Sequence, residues 1–166
     1  THDDLRRELV ELMLSVIKQD GGSIMVYNQS FEQTRLKEMA ILFPEHATRL
    51  LDMVDRLVDL MDFVKGNKKF FKNLGFDDDE SDGFCFYHND LNGSFSIKKV
   101  LPVFSHLKYD DMPIGNGTDA LVAYANFPYM EKNKFDQVYQ DLLEYCKQDT
   151  WAMVEILEAL RKEVYW

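Results

Sequence analysis

The sequence predicts a single α/β domain, on three observations. Apolar residues recur at helical spacing near the start, a short branched apolar run follows a Gly-Gly break, and a long amphipathic stretch closes the chain. Helices that alternate with short buried strands are typical of a parallel sheet covered by helices. A chain of 166 residues can bury roughly two thirds of its unfolded surface in one core. We therefore expect one domain over residues 1–166.

The first half of the chain is predicted to alternate helix and strand. A helical stripe ends at Asp20-Gly21-Gly22, and "SIMVY" at 23–27 has the apolar, partly branched composition of a buried parallel strand. A second helical stripe ends before Pro44, because proline disfavours helix at the preceding residue. A third helix is predicted to begin near Glu45. The run "LVDLMDFV" at 57–64 fits either the tail of that helix or a second core strand.

The second half is predicted to contain a long loop followed by helices. The pattern fails over 65–83, which has the lysines, glycines and acidic run of an exposed loop. The stretch "SFSIKKVLPVF" at 94–104 predicts a serine-led helix that Pro102 bends or ends. A short helix is predicted over 120–126 and a long final helix over 134–164.

The composition restricts the class of protein. The net charge of −10 argues against a free-standing nucleic-acid clamp, which neutralises phosphates with clustered lysine and arginine. It leaves room for a nuclease, because carboxylate-bound cations can meet the phosphate instead. The two cysteines, Cys85 and Cys146, provide no disulfide framework, and no apolar run approaches the ~18 residues of a membrane helix. We expect a cytoplasmic protein with no membrane partner. Because the sequence starts at Thr1 with no initiator methionine, we expect a fragment of a longer protein.

Two polar clusters are candidates for one ligand site. Tyr145 and Asp149 lie one helical turn apart, so their side chains share a face of the final helix. Asn28 and Glu32 follow the predicted strand, at the edge where ligands bind in open α/β sheets. Structural interpretations stay open: Tyr145 as an anchor at the solvent boundary, Asp149 as surface, Asn28 as an Asx turn and Glu32 as an ordinary first-turn acid. If the carboxylates converge, they suit Mg²⁺ or Mn²⁺ and two-metal phosphodiester cleavage.

The two clusters resemble motifs of a known family. Asn28-Gln29-Ser30-Phe31-Glu32 resembles the second motif, and Tyr145-Cys146-Lys147-Gln148-Asp149 the third, of the tyrosine subgroup of the DEDD (DnaQ-like) 3′–5′ exonucleases, which have the ribonuclease H-like fold. "GSFSIKKVLPVF" at 93–104 resembles the helix before the third motif, and "RLVDLM" at 56–61 the strand after the second. The chain resembles more closely a bacterial domain-of-unknown-function family whose exonuclease assignment is inferred.

The resemblance implies roles for these residues. Glu32 and Asp149 would be catalytic carboxylates that bind Mg²⁺ or Mn²⁺, and Tyr145 would be a catalytic phenol that orients the attacking water. The substrates would be DNA or RNA 3′ ends. The resemblance also implies supporting roles, with Asn28 and Asp59 behind the metal ligands, and Ser96 and Lys98 in contact with the substrate.

The chain departs from the family pattern in two places. Glu32 stands where aspartate is usual, and the first motif, Asp-x-Glu, has no counterpart upstream of "SIMVY" at 23–27. We therefore expect an incomplete metal site, a fold that lacks its N-terminal strands, and little activity unless the remainder of the full-length chain supplies the motif. The alternatives are a non-catalytic scaffold or interaction module of the same fold, and a mainly helical binding domain.

Overall fold

The computed structural model describes residues 4–110 and 112–164, which form two compact units. We refer to 4–86 as the N-terminal unit and to 87–164 as the C-terminal unit, and each is described by itself. The prediction of one domain over 1–166 stays a prediction. The helices are α1 (Arg6–Val16), α2 (Ser30–Leu42), α3 (Ala47–Asp55), α4 (Leu60–Lys65), α5 (Lys68–Asn73), α6 (Asp78–Gly83), α7 (Ile97–Phe104), α8 (Gly117–Asn126) and α9 (Lys132–Val164), with 3-10 turns at Pro44–His46, Asn89–Leu91 and Phe127–Tyr129.

A two-stranded parallel sheet organises the N-terminal unit. The strands β1 (Ile24–Val26) and β2 (Leu57–Asp59) pair in register, with Ile24 opposite Leu57 and Val26 opposite Asp59. The predicted strand at 23–27 is confirmed. The ambiguous run at 57–64 contains both a strand and a helix, because the Asp59 carboxylate accepts a hydrogen bond from the Met61 amide and starts α4.

Helices pack on this sheet to form the core of the N-terminal unit. Helix α1 contributes Val10 and Leu14, and α2 and α3 contribute further apolar side chains, including Leu50, which is fully buried. The opposite face of α1 carries more apolar side chains that are over half exposed: Leu5, Leu9, Leu12 and Val16. Only one of the two apolar faces of α1 is therefore covered by the described residues.

The predicted exposed loop over 65–83 is wrong, since α5 and α6 occupy most of it. Each helix is only six residues long and begins at a side-chain cap: Asn67 accepts from two amides of α5, and Asp77 forms a capping box with Glu80 in α6. Phe71 of α5 is buried and stacks on Phe84 at a centroid distance of 4.1 Å. Helices this short show no periodicity, so their caps look like loop residues in the sequence.

The C-terminal unit is helical. Helix α7 packs on α9, and α8 also contacts α9. Val100 of α7 and Ile156 of α9 are fully buried. Pro102, predicted to bend or end this helix, lies in the last turn of α7, which continues two residues further and ends at Phe104. The predicted helices over 120–126 and 134–164 are confirmed and begin slightly earlier.

The fold as described is helix-rich and contains one small parallel sheet. In residues 4–110 and 112–164, the sheet has only the strands β1 and β2. No helix in this described part, α9 included, has both the length and the apolar character needed to cross a bilayer.

Candidate functional site

The carboxyl ends of β1 and β2 lie side by side in the N-terminal unit. Val26 pairs with Asp59, so the residues that follow both strands emerge at one edge of the sheet. Asn28 has a left-handed φ of 66°, a conformation that asparagine tolerates better than most residues. The chain turns there into α2, whose first turn carries Glu32. The sequence-predicted residues Asn28, Glu32 and Asp59 therefore belong to one sheet edge.

Asp59 holds this edge together. Its side chain is 6% exposed, and Oδ1 accepts hydrogen bonds from the amides of Asn28 at 3.0 Å and Met61 at 2.9 Å. The other oxygen, Oδ2, accepts from the amide of Gln29 at 2.8 Å. One carboxylate thus links the turn after β1 to the start of α4, and it fixes the backbone that leads to Glu32.

Glu32 has a carboxylate oxygen available for a ligand. The side chain is half-buried, and among the described residues its buried Oε2 has no hydrogen-bond partner. Burial raises the pKa of Glu32, a hydrogen bond to its own backbone lowers it in part, and the charge of Asp59 raises it further. The unpartnered Glu32 oxygen, beside the negative charge of Asp59, is a hard ligand of the kind that divalent cations bind. A bound cation would relieve the cost of ionising Glu32.

Glu32→Gln is expected to stabilise the chelator-treated chain at neutral pH and to lose this advantage in acid. Because burial raises the folded-state pKa of Glu32, ionisation costs stability at neutral pH, and glutamine removes that cost. Below the ordinary pKa of 4.5 the carboxyl is protonated in both the folded and unfolded states, so the two proteins converge. The gain should stay below about 1 kcal/mol, since water screens a half-buried group. Urea unfolding measured from about pH 4 to about pH 8 checks this, and a gain that grows in acid would contradict it.

In the C-terminal unit, two tyrosines converge on Asp149. Tyr145 lies one turn earlier on α9 and is 7% exposed, and Tyr109, from the segment between α7 and α8, is 5% exposed. The Tyr109 hydroxyl donates to Asp149 Oδ1 at 2.8 Å. Burial first, and then hydrogen bonding to Asp149, raises the pKa of both phenols. Both therefore keep their protons at neutral pH.

Tyr109 was not identified from the sequence. It lies in "YDDMPIGNGTD" at 109–119, a segment without periodicity. The one feature that could have indicated it is that it is an aromatic residue in an otherwise mostly polar connection. The Lys98 ammonium lies 5.7 Å from the Tyr109 ring centroid and donates to the Gly115 carbonyl.

The remaining site residue, Ser96, precedes the first residue of α7. Its side chain is exposed and makes no capping hydrogen bond to that helix. It therefore stays a prediction as a substrate contact.

The predicted site residues thus fall into the two units. The structure brings Asn28, Glu32 and Asp59 together in the N-terminal unit, and Lys98, Tyr145 and Asp149 in the C-terminal unit. Over residues 4–110 and 112–164, no group of three or more His, Cys, Asp or Glu side chains is arranged to hold a metal ion.

Comparisons with known proteins place the chain among bacterial sequences. The model of the family described as "Domain of unknown function (DUF2779)" matches residues 1–96. The chain is similar to uncharacterized protein MG366 of Mycoplasma genitalium, at 34% identity over 81% of this chain and 20% of that protein. It is also similar to uncharacterized protein UU173 of Ureaplasma parvum, at 28% identity over 84% of this chain and 21% of that protein. The chain spans about a fifth of the length of these relatives. No solved structure matches it significantly.

Proposed function

We propose that this chain, which belongs to the family described as Domain of unknown function (DUF2779), is part of a metal-dependent nuclease that acts on nucleic-acid 3′ ends. The observation that carries the proposal is the setting of Asp149, whose carboxylate accepts a hydrogen bond from the buried Tyr109 hydroxyl and lies one helical turn from the buried Tyr145. A surface aspartate would need no such support. The finer assignment of the fold, as ribonuclease H-like, is part of the same proposal.

Asp149 is proposed to offer a pre-oriented carboxylate to a cation. Tyr109 occupies one lone pair of Oδ1, which fixes the orientation of the group and leaves further lone pairs free. The Tyr109 hydrogen bond reduces the cost of partly burying a negative charge without neutralising it. The carboxylate is therefore oriented before any ligand arrives.

Tyr145 is proposed to position the attacking water. Tyr145 lies one turn before Asp149 on the same face of α9, so its one hydroxyl proton is proposed to be directed toward that carboxylate. The phenol oxygen then remains an acceptor for a hydrogen bond from water. Because its pKa is raised, Tyr145 does not become a phenolate at neutral pH, so its role is orientation and not proton abstraction.

Glu32 is proposed as the second metal-binding carboxylate, through its unpartnered Oε2. Asp59 supports it by holding the turn that leads into α2. When bound, Mg²⁺ or Mn²⁺ would lower the pKa of a coordinated water and balance charge on the phosphate. Lys98 donates one N–H to the Gly115 carbonyl and, as an ammonium with three donors, has two left for a substrate oxygen.

The activity is assigned to the whole protein in which this sequence occurs. The curated relatives are about five times as long as the stretch they share with this chain. The described residues hold no group of three or more metal-ligating side chains, and "Asp-x-Glu" has no counterpart before β1. We therefore expect little turnover from the 166 residues alone.

The test is hydrolysis of 5′-labelled single-stranded DNA and RNA by the whole protein in Mn²⁺, Mg²⁺ or EDTA. We expect a ladder of products shortened from the 3′ end with either cation and none in EDTA. A circular single strand, which has no ends, should stay intact. If no product forms from either nucleic acid with either cation, the protein is a non-catalytic scaffold or interaction module and the proposal fails.

A further inference from the structure

An open groove of about 680 Å³ lies on the C-terminal unit. Lys108 and Met112 line one side, and Lys147, Gln148 and Trp151 of α9 line the other. Its volume is in the range of ligand sites, roughly 300–1,000 Å³. The groove is thus large enough to hold a nucleotide-sized ligand.

The groove combines an aromatic face with positive charge. Trp151 is 50% exposed, and its indole N–H donates to Glu155 Oε1 at 3.1 Å, which restrains the ring. Neither Lys108 nor Lys147 forms an ion pair with the described residues, so both ammonium groups are available. Glu144 also lines the groove and opposes this charge. An indole beside two free cations is the combination that binds an unpaired base with its phosphates.

The groove is lined in part by chain neighbours of Asp149 and Tyr109. Gln148 directly precedes Asp149 on α9, while Lys147 and Trp151, two residues to either side, lie on another face of the helix. On the other side, Lys108 adjoins Tyr109, whose hydroxyl donates to Asp149. A ligand in the groove can therefore contact Gln148 and Lys108, the direct chain neighbours of Asp149 and Tyr109.

We infer that this groove binds single-stranded nucleic acid, with a base stacked on Trp151 and neighbouring phosphates on Lys108 and Lys147. The inference rests on the proposed function, because it assigns a substrate-binding surface that adjoins that site along the chain. A single strand is required, since a paired base keeps its face inside the duplex stack and cannot present it to the indole.

The test measures binding of a fluorescent single-stranded oligonucleotide by anisotropy in EDTA, where metal-dependent cleavage does not occur. Trp151→Ala should weaken binding by roughly 5- to 100-fold through lost stacking, and Trp151→Phe, which keeps a ring, by much less. Lys147→Gln should weaken binding and reduce the slope of log affinity against log salt by about 0.7. Glu144→Gln should do the reverse and tighten binding, because it removes a negative charge that faces the phosphates. Trp151 and Glu144 are exposed, so circular dichroism should show all of these variants folded.

Two results would overturn the inference. One is equal affinity of the wild type, Trp151→Ala and Trp151→Phe. The other is a dependence on Lys147 but not on Trp151, with displacement by polyglutamate, which would assign the groove to an acidic polypeptide.

The inference and the proposed function fail in different ways. If binding depends on Trp151 but the whole protein shows no metal-dependent cleavage, the inference about the groove stands and the proposed nuclease activity is rejected. If Trp151→Ala changes neither cleavage nor binding, the proposed nuclease activity stands and the inference about the groove is rejected.

Discussion

Asp149→Asn is expected to lower the rate of metal-dependent hydrolysis by about 100- to 1,000-fold, the usual loss when a preorganised electrostatic group is removed. Asparagine has nearly the same shape and keeps an oxygen that can accept the Tyr109 hydrogen bond. It lacks the negative charge that would hold a cation. The variant therefore separates the loss of charge from the loss of structure. End-labelled oligonucleotides and the whole protein in manganese provide the measurement.

Tyr109→Phe is the matched control for this prediction. It removes the hydrogen bond to Asp149 and leaves the carboxylate charge in place. Loss of such a supporting partner lowers metal affinity or activity by roughly 10- to 100-fold, and higher manganese concentration should restore part of it. Manganese should not restore Asp149→Asn to the same degree. Equal turnover by Asp149→Asn and the wild type would remove Asp149 from the mechanism.

Asp59→Ala is expected to destabilise the N-terminal unit by about 3–5 kcal/mol, because it leaves three backbone amides without their acceptor and removes the cap of α4. The amides belong to Asn28, Gln29 and Met61, so the loss loosens both the turn before Glu32 and the start of α4. Hydrogen exchange of the Ile24 amide, which donates to the Arg56 carbonyl at 2.8 Å, reports the opening of this sheet. Urea unfolding followed by circular dichroism gives the change in free energy.

Two variants calibrate this result. Asp77→Ala removes an exposed helix cap in the same unit and should cost only about 1 kcal/mol. Asp59→Asn keeps one acceptor oxygen but directs an NH₂ group toward an amide donor, so its cost should fall between the two. A cost for Asp59→Ala no larger than that for Asp77→Ala would show that the turn after β1 does not depend on the Asp59 carboxylate.

Much of the fold was predictable because its signals are local. The Gly21-Gly22 break and the branched run after it predicted β1, and the long apolar stripe predicted α9. Within the site, the four-residue spacing of Tyr145 and Asp149 predicts a shared helix face, and both residues lie in α9. Glu32 was likewise predictable as a residue at the carboxyl end of a strand.

The sequence by itself determined the helices of eight residues or more, the first strand, the family resemblance and the acidic candidates, since each depends on neighbours within about one or two turns of chain. It did not determine the six-residue helices α4, α5 and α6. The tertiary structure alone decided which distant groups meet. It brings Tyr109 to Asp149 across 40 residues, and it brings Asp59 to the amides of Asn28 and Gln29 across about 30. No periodicity records such pairs, because a buried carboxylate takes its partners from whichever donors the packed chain places within hydrogen-bonding distance.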